Sequence, residues 1–71
     1  MIDAARRLLA GALDVPPDTI GPQTRLGVVP QWDSLAHMRL VLAIEDLLGR
    51  QLAPHEILSI DGLDTVAAIV K

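Results

Sequence analysis

An all-α four-helix bundle with a long first loop and a short third helix is the fold this sequence predicts, on three observations. Apolar residues recur at three- and four-residue spacing in two long stretches, near residues 2–13 and 34–48. Hydrophobic residues make up 51% of the chain but aromatic ones only 1%, so the core must be built from Leu, Ile, Val and Ala. Leu and Ala lead the helix propensity scale, whereas strands draw more heavily on aromatic residues and Thr. Gly21, Pro22, Gly27 and Pro30 then cluster between the two stretches, where they punctuate a loop. The 71 residues are expected to form one domain, residues 1–71. A domain of that size buries only about 60% of the surface its unfolded chain exposes, too little to enclose a deep active site.

The first helix is expected over about residues 2–13, with Ile2, Ala5, Leu8, Leu9, Ala12 and Leu13 as its apolar stripe and Asp3, Arg6 and Arg7 off it. Pro16 and Pro17 stop it, because neither can donate a hydrogen bond and each pushes the residue before it out of helical geometry. About 20 residues without a regular element beyond a single turn follow, a length that in a small domain means function or disorder. Ile20, Leu26, Val28 and Val29 argue for order, since they can drop onto the helices and hold the loop across the open side of the bundle.

The second helix is expected from Ser34 to Leu48, with Leu35, Met38, Val41, Leu42, Ile44, Leu47 and Leu48 on one face and Gly49 supplying the left-handed turn that ends it. Residues 50–53 form a connector, and Pro54 suits the first position of a short helix ending near Ser59. After the Asp61-Gly62 turn, Asp64 or Thr65 is expected to cap a last helix. That helix turns Val66, Ile69 and Val70 inward and places Lys71 at its negative end.

The run Trp32-Asp33-Ser34-Leu35 joins the long loop to the strongest helical pattern. Asp33 is placed to cap that helix, its carboxylate accepting from first-turn N–H groups and meeting the positive end of the helix dipole. Ser34, one of two serines in the chain, then falls in the first turn with its hydroxyl near solvent. A phosphodiester attached there sits beside N–H donors that lack helical partners, where an anion needs no dedicated pocket. Ser34 is therefore a candidate modification site for a phospho-linked group.

Asp33-Ser34-Leu35 opening an apolar helix resembles the attachment motif of acyl carrier proteins. The likeness covers nearly the whole chain: a first helix, a long loop, the Asp-Ser-Leu helix ending in Leu47-Leu48-Gly49, a short segment and a final Thr65-Val66-Ala67-Ala68-Ile69. It implies an acyl-carrier-like bundle in which Ser34 bears a phosphopantetheine arm taken from coenzyme A by a phosphopantetheinyl transferase. The arm would hold an acyl or aminoacyl group as a thioester. Asp33 and Leu35 would flank the attachment point for the transferase, with Asp33 helping to hold Mg²⁺ transiently during transfer.

By the same resemblance Met38, Arg39 and the exposed part of Leu42 would meet partner enzymes, namely an acyl or aminoacyl ligase and a downstream acyltransferase or synthase. Leu40 and Ile44 would face an interior where a short acyl chain lodges. The expected protein is thus a cytoplasmic, monomeric carrier of fatty acid, polyketide or specialised metabolism that catalyses nothing itself. The competing expectation is a cofactor-free helical interaction module in which Ser34 is an ordinary first-turn residue.

Several features depart from the family. Arg39 stands where carriers of fatty-acid synthesis commonly have glutamate, the short third segment offers only Glu56 as an acid, and the loop before Trp32 lacks carboxylates near the serine. A weaker negative field redirects docking, since charge complementarity mainly sets encounter rate and partner choice. A specialised, stand-alone carrier is expected on that ground. The chain ends at Lys71, sooner than most of the family, so a short last helix and a marginally stable unloaded form are expected.

Other chemistries read less well. Asp33, Ser34 and His37 invite a hydrolase reading, but Asp33 adjoins the serine and is badly placed to grip the far side of the imidazole, and no oxyanion hole is evident. His37 and His55, with Asp33 or Glu56, lack the spacing of a metal site, and they read as two solvated surface histidines. With no cysteine, neither a disulfide nor a thiolate site supports the fold, and any thiol must come from a cofactor. A net charge of −3 disfavours nucleic acid. Asp3, Arg6 and Arg7 interrupt any secretory signal, and no run approaches the roughly 18 apolar residues of a membrane span.

Overall fold

The first helix, α1 (Ile2–Leu13), packs against both later long helices and turns Ala5, Leu9, Ala12 and Leu13 fully inward, with Leu8 half-buried. The structure is a computed structural model and describes residues 2–70; the Ile2 side chain and the expected placement of Lys71 lie outside the described part. α1 does not wait for the prolines to end. Asp14 adopts a left-handed conformation at φ 58°, which lets the Val15 N–H reach back to Ala10 O at 3.0 Å. This is a Schellman closure built on Asp in place of the usual Gly.

A single 3₁₀ turn at Pro17–Thr19 follows, as the one regular feature of the loop. Ile20 is buried and Val29 half-buried, as the sequence implies, but Leu26 is 43% and Val28 70% exposed, so the loop does not seal the core with all four. What anchors it instead is backbone. The Leu26 N–H donates to Asp61 O at 2.9 Å, Arg25 forms an isolated antiparallel bridge with Gly62, and the Arg25 guanidinium reaches Asp61 at 3.3 Å and Asp64 at 3.4 Å. The Arg25 guanidinium passes close over Gly62, where a Cβ would lie 2.8 Å from Arg25 Nη1 and would push that side-chain end aside.

The second helix, α2 (Ser34–Leu48), begins and ends as its sequence signals. Asp33 Oδ1 accepts from the Ala36 N–H at 2.8 Å, and Gly49, at φ 69°, donates its N–H to Glu45 O at 2.8 Å. The buried ridge is Ala36, Leu40, Val41 and Ile44, with Leu48 half-buried. This corrects the face read from the large apolar residues: Leu35 (60%), Met38 (51%), Leu42 (60%) and Leu47 (55%) are exposed. The helix is apolar on more than one side, and the side that is buried is the one carrying Ala36, Leu40, Val41 and Ile44.

The short third helix, α3 (Pro54–Ser59), carries Pro at its first position, where a missing N–H costs nothing. Ala53 has no side-chain acceptor, so the helix start relies on Glu56, whose carboxylate takes the Ala53 N–H at 2.8 Å. Arg50 grips the same carboxylate with both Nη atoms, at 3.0 and 2.9 Å. The Arg50 guanidinium, with the Ala53 N–H adding to it, holds the Glu56 carboxyl down at about 2. No residue of α3 is fully buried.

The last helix, α4 (Leu63–Val70), packs mainly on α1 and buries Leu63, Val66 and Val70, with Ile69 half-buried. Its start corrects the expected cap. Asp64 and Thr65 lie inside the first turn, and Thr65 Oγ1 reaches back to accept the Gly62 and Asp61 N–H groups, each at 3.0 Å. Among the described residues the fold is therefore all-α, with four helices and no strand. Its centre is Leu9, Leu40, Ile44, Ile60 and Val66.

Candidate functional site

Asp33 is extended at φ −99°, which lets its short side chain fold onto the α2 terminus while its carbonyl accepts the His37 N–H at 2.9 Å. Ser34 is thereby set as the first residue of the helix, exposed, and its hydroxyl makes no hydrogen bond among the described residues. First-turn N–H groups have no helical acceptor. Here Asp33 satisfies the one at Ala36, and Ser34 lies at the positive end of the α2 dipole. Asp33→Ala is expected to cost about 1 kcal/mol of stability in urea denaturation, while Asp33→Asn, which can still cap, loses far less.

A cleft of about 450 Å³ opens beside this serine. Asp33, Ser34, His37 and Met38 form one side, Ile57, Leu58 and Ile60 from α3 and its end form the other, and Leu26, Gly27 and Trp32 close it from the loop. Its walls are chiefly apolar. Leu58, at 84% exposed, and Met38 stand at its rim, whereas Trp32 (3%) and Ile60 (0%) belong to the core behind it.

Trp32, and His37 in a part other than the hydrolase or metal roles its sequence context suggests, help to line this cleft. The Trp32 Nε1–H donates to His37 Nδ1 at 3.0 Å, and His37 Nε2 lies 3.1 Å from Ile57 O across the cleft. The two rings meet edge to edge through the first of these bonds, their planes 27° apart and their centroids 6.1 Å apart. His37 is thus half-buried and doubly bonded rather than solvated, and neither nitrogen is directed at Ser34 as a hydrolase would need. His55 is exposed on α3. Among the described residues no three His, Cys, Asp or Glu side chains gather as a metal site.

The remaining expected residues divide by position. Leu35, Met38, Arg39 and Leu42 are all on the exposed side of α2. Leu40 and Ile44 face the interior at 0% exposure, but the cleft beside Ser34 does not reach either of them. Both are close-packed on the side of α2 that meets α1 and α4, so the apolar space next to the serine lies toward α3 instead. A sequence signal for one wall of this cleft did exist: Trp32, the chain's only Phe, Trp or Tyr, stands two positions before Ser34.

Among the described residues no helix is long and apolar enough to cross a membrane. No family model, no curated protein and no solved structure matches this chain.

Proposed function

We propose that this chain is a carrier protein of the acyl-carrier type, in which Ser34 Oγ attacks the phosphopantetheine phosphorus of coenzyme A. A phosphodiester forms as the pyrophosphate bond breaks and adenosine 3′,5′-bisphosphate leaves, with the hydroxyl proton passing to the transferase. The observation that carries the reading is the Ser34 hydroxyl itself: exposed, without a hydrogen bond among the described residues, at the first position of a helix capped by Asp33 and at the mouth of an apolar cleft. The residues fit such a group. A phosphodiester on Ser34 Oγ meets the positive helix end and the unpaired first-turn N–H donors, and the arm beyond it has apolar walls to lie against. The arm supplies a thiol that holds an acyl or aminoacyl group as a thioester.

The chain's own part in the work is positional. α2 presents the attachment point, Asp33 keeps the helix start in place and contributes a carboxylate for a transient Mg²⁺, and Ser34 Oγ is the one group of the protein that forms a bond, to the phosphorus of the arm. Tethering raises the concentration of the cargo at each enzyme that the carrier visits. Met38, Arg39 and Leu42, exposed one after another along α2, offer that ligase, acyltransferase or synthase a small mixed surface from which it can release.

The exposed Leu35, Met38, Leu42 and Leu58 also favour the second reading, a cofactor-free interaction module. One assay separates the two. The chain and its Ser34→Ala variant are incubated with coenzyme A, Mg²⁺ and a promiscuous phosphopantetheinyl transferase, and intact masses are compared. The wild type is expected to gain one arm and Ser34→Ala none; a wild type that stays unmodified overturns the carrier reading in favour of the module.

A further inference from the structure

Tryptophan's indole nitrogen can only donate, and a backbone carbonyl can only accept. The two contacts of the His37 ring therefore settle its state: Nδ1 must present its lone pair to Trp32 Nε1–H at 3.0 Å, and Nε2 must carry the proton given to Ile57 O at 3.1 Å. Only the neutral ring protonated on Nε2 meets both requirements. These bonds join three elements that line the cleft together. His37 is on α2, Trp32 is at the end of the loop, and Ile57 is on α3, a helix with no fully buried residue.

Among the described residues, the bond to Ile57 O is also the one hydrogen bond that runs from α2 to α3. The other polar ties of α3 run to the connector, through the Glu56 contacts with Arg50 and Ala53. The charged or titratable side chains lining the cleft are His37 and Asp33, and Asp33 is engaged by the Ala36 N–H.

We infer that His37 is a positioning residue: its Nε2-protonated ring ties Trp32 and α3 to α2 and so fixes the width of the apolar cleft beside Ser34. The inference rests on the proposed carrier function only for what the cleft holds. The geometry of the tie is a property of the unloaded chain.

The test uses the unloaded chain and its Ser34→Ala variant. Long-range ¹H–¹⁵N spectra of the imidazole are expected to show His37 protonated on Nε2, with a hydrogen-bonded, slowly exchanging Trp32 indole N–H. His37→Leu, close in bulk but without donor or acceptor, is expected to lose the protected indole signal. It should also speed amide exchange at Ile57 and Ile60 while the amides of α1 and α4 keep their protection. His37→Gln, which retains one donor and one acceptor, should restore much of the α3 protection. His55→Gln should change none of these readouts.

A His37 ring protonated on Nδ1, or α3 exchange that is equal in wild type and His37→Leu, overturns the inference. If His37→Leu fails to fold, the tautomer and indole signals of the wild type decide alone. A chain that shows the tie but refuses the arm would sink the carrier reading only. A chain that is loaded but lacks the tie would sink this inference only.

Discussion

Trp32→Ala is expected to cost about 3–5 kcal/mol, the range for removing a large aromatic side chain from a core. The indole is 3% exposed and the chain has no Phe, Tyr or second Trp, so no apolar ring of similar bulk can swing in to fill its place. Its loss also strips His37 Nδ1 of its donor, leaving a half-buried acceptor to find water. A domain of 71 residues has roughly 4–10 kcal/mol of total stability at ~0.05–0.15 kcal/mol per residue, so the substitution consumes a third of it or more. Far-UV circular dichroism in urea is the suitable readout, because the variant has no tryptophan fluorescence. Trp32→Phe should fall between the two, keeping most of the apolar volume but not the N–H. A Trp32→Ala midpoint close to that of wild type would mean that the indole is not part of the core.

How far such behaviour is legible without a structure depends on whether the signal is local. The bounds of α2 were legible because the caps act within one turn: Asp33 bonds three residues ahead, and Gly49 supplies a positive φ that its sequence position announces. α1 and α3 were legible for the same kind of reason, through the stripe around Ala5, Leu9 and Leu13 and through Pro54. At α4 Thr65 was one of the two expected capping residues, but the helix start was not legible, because Thr65 acts backward from inside the helix on Gly62 and Asp61 instead of preceding it. The end of α1 was attributed to Pro16 and Pro17, yet Asp14 already turns the chain, in a conformation that non-glycine residues seldom take.

The candidate site divides along the same line. The positions of Ser34 and Asp33 could be read from the motif, since the cap and the first helical residue lie within a single helix start. The cleft could not, because its walls come from Leu26, Trp32, His37 and Ile57, brought together by a loop seam to Gly62 and by a hydrogen bond that spans 20 positions. Nothing in a period of three or four residues encodes contacts of that separation. His37 looked solvated for this reason: its two partners are loop and helix groups that do not share its stripe.

Leu40→Ala and Leu42→Ala together measure which face of α2 is structural. The two leucines are two positions apart and chemically identical, and a pattern reading placed Leu42 on the apolar face. In the structure Leu40 is at 0% exposure in the core cluster with Leu9, Ile44 and Val66, whereas Leu42 is 60% exposed. Truncating Leu40 removes its transfer free energy and leaves a cavity that the surrounding helices only partly close, a loss of about 2–5 kcal/mol. Truncating Leu42 removes a side chain still largely in water, and such surface changes usually stay within about 0.5 kcal/mol. In urea denaturation, Leu40→Ala is expected to approach the limit of what the fold withstands while Leu42→Ala tracks the wild type. Equal losses would put both residues in the core and would remove Leu42 from the surface offered to a partner. If instead Leu42→Ala is as stable as wild type but a cognate ligase or synthase uses it less well, the exposed side of α2 is where that enzyme docks.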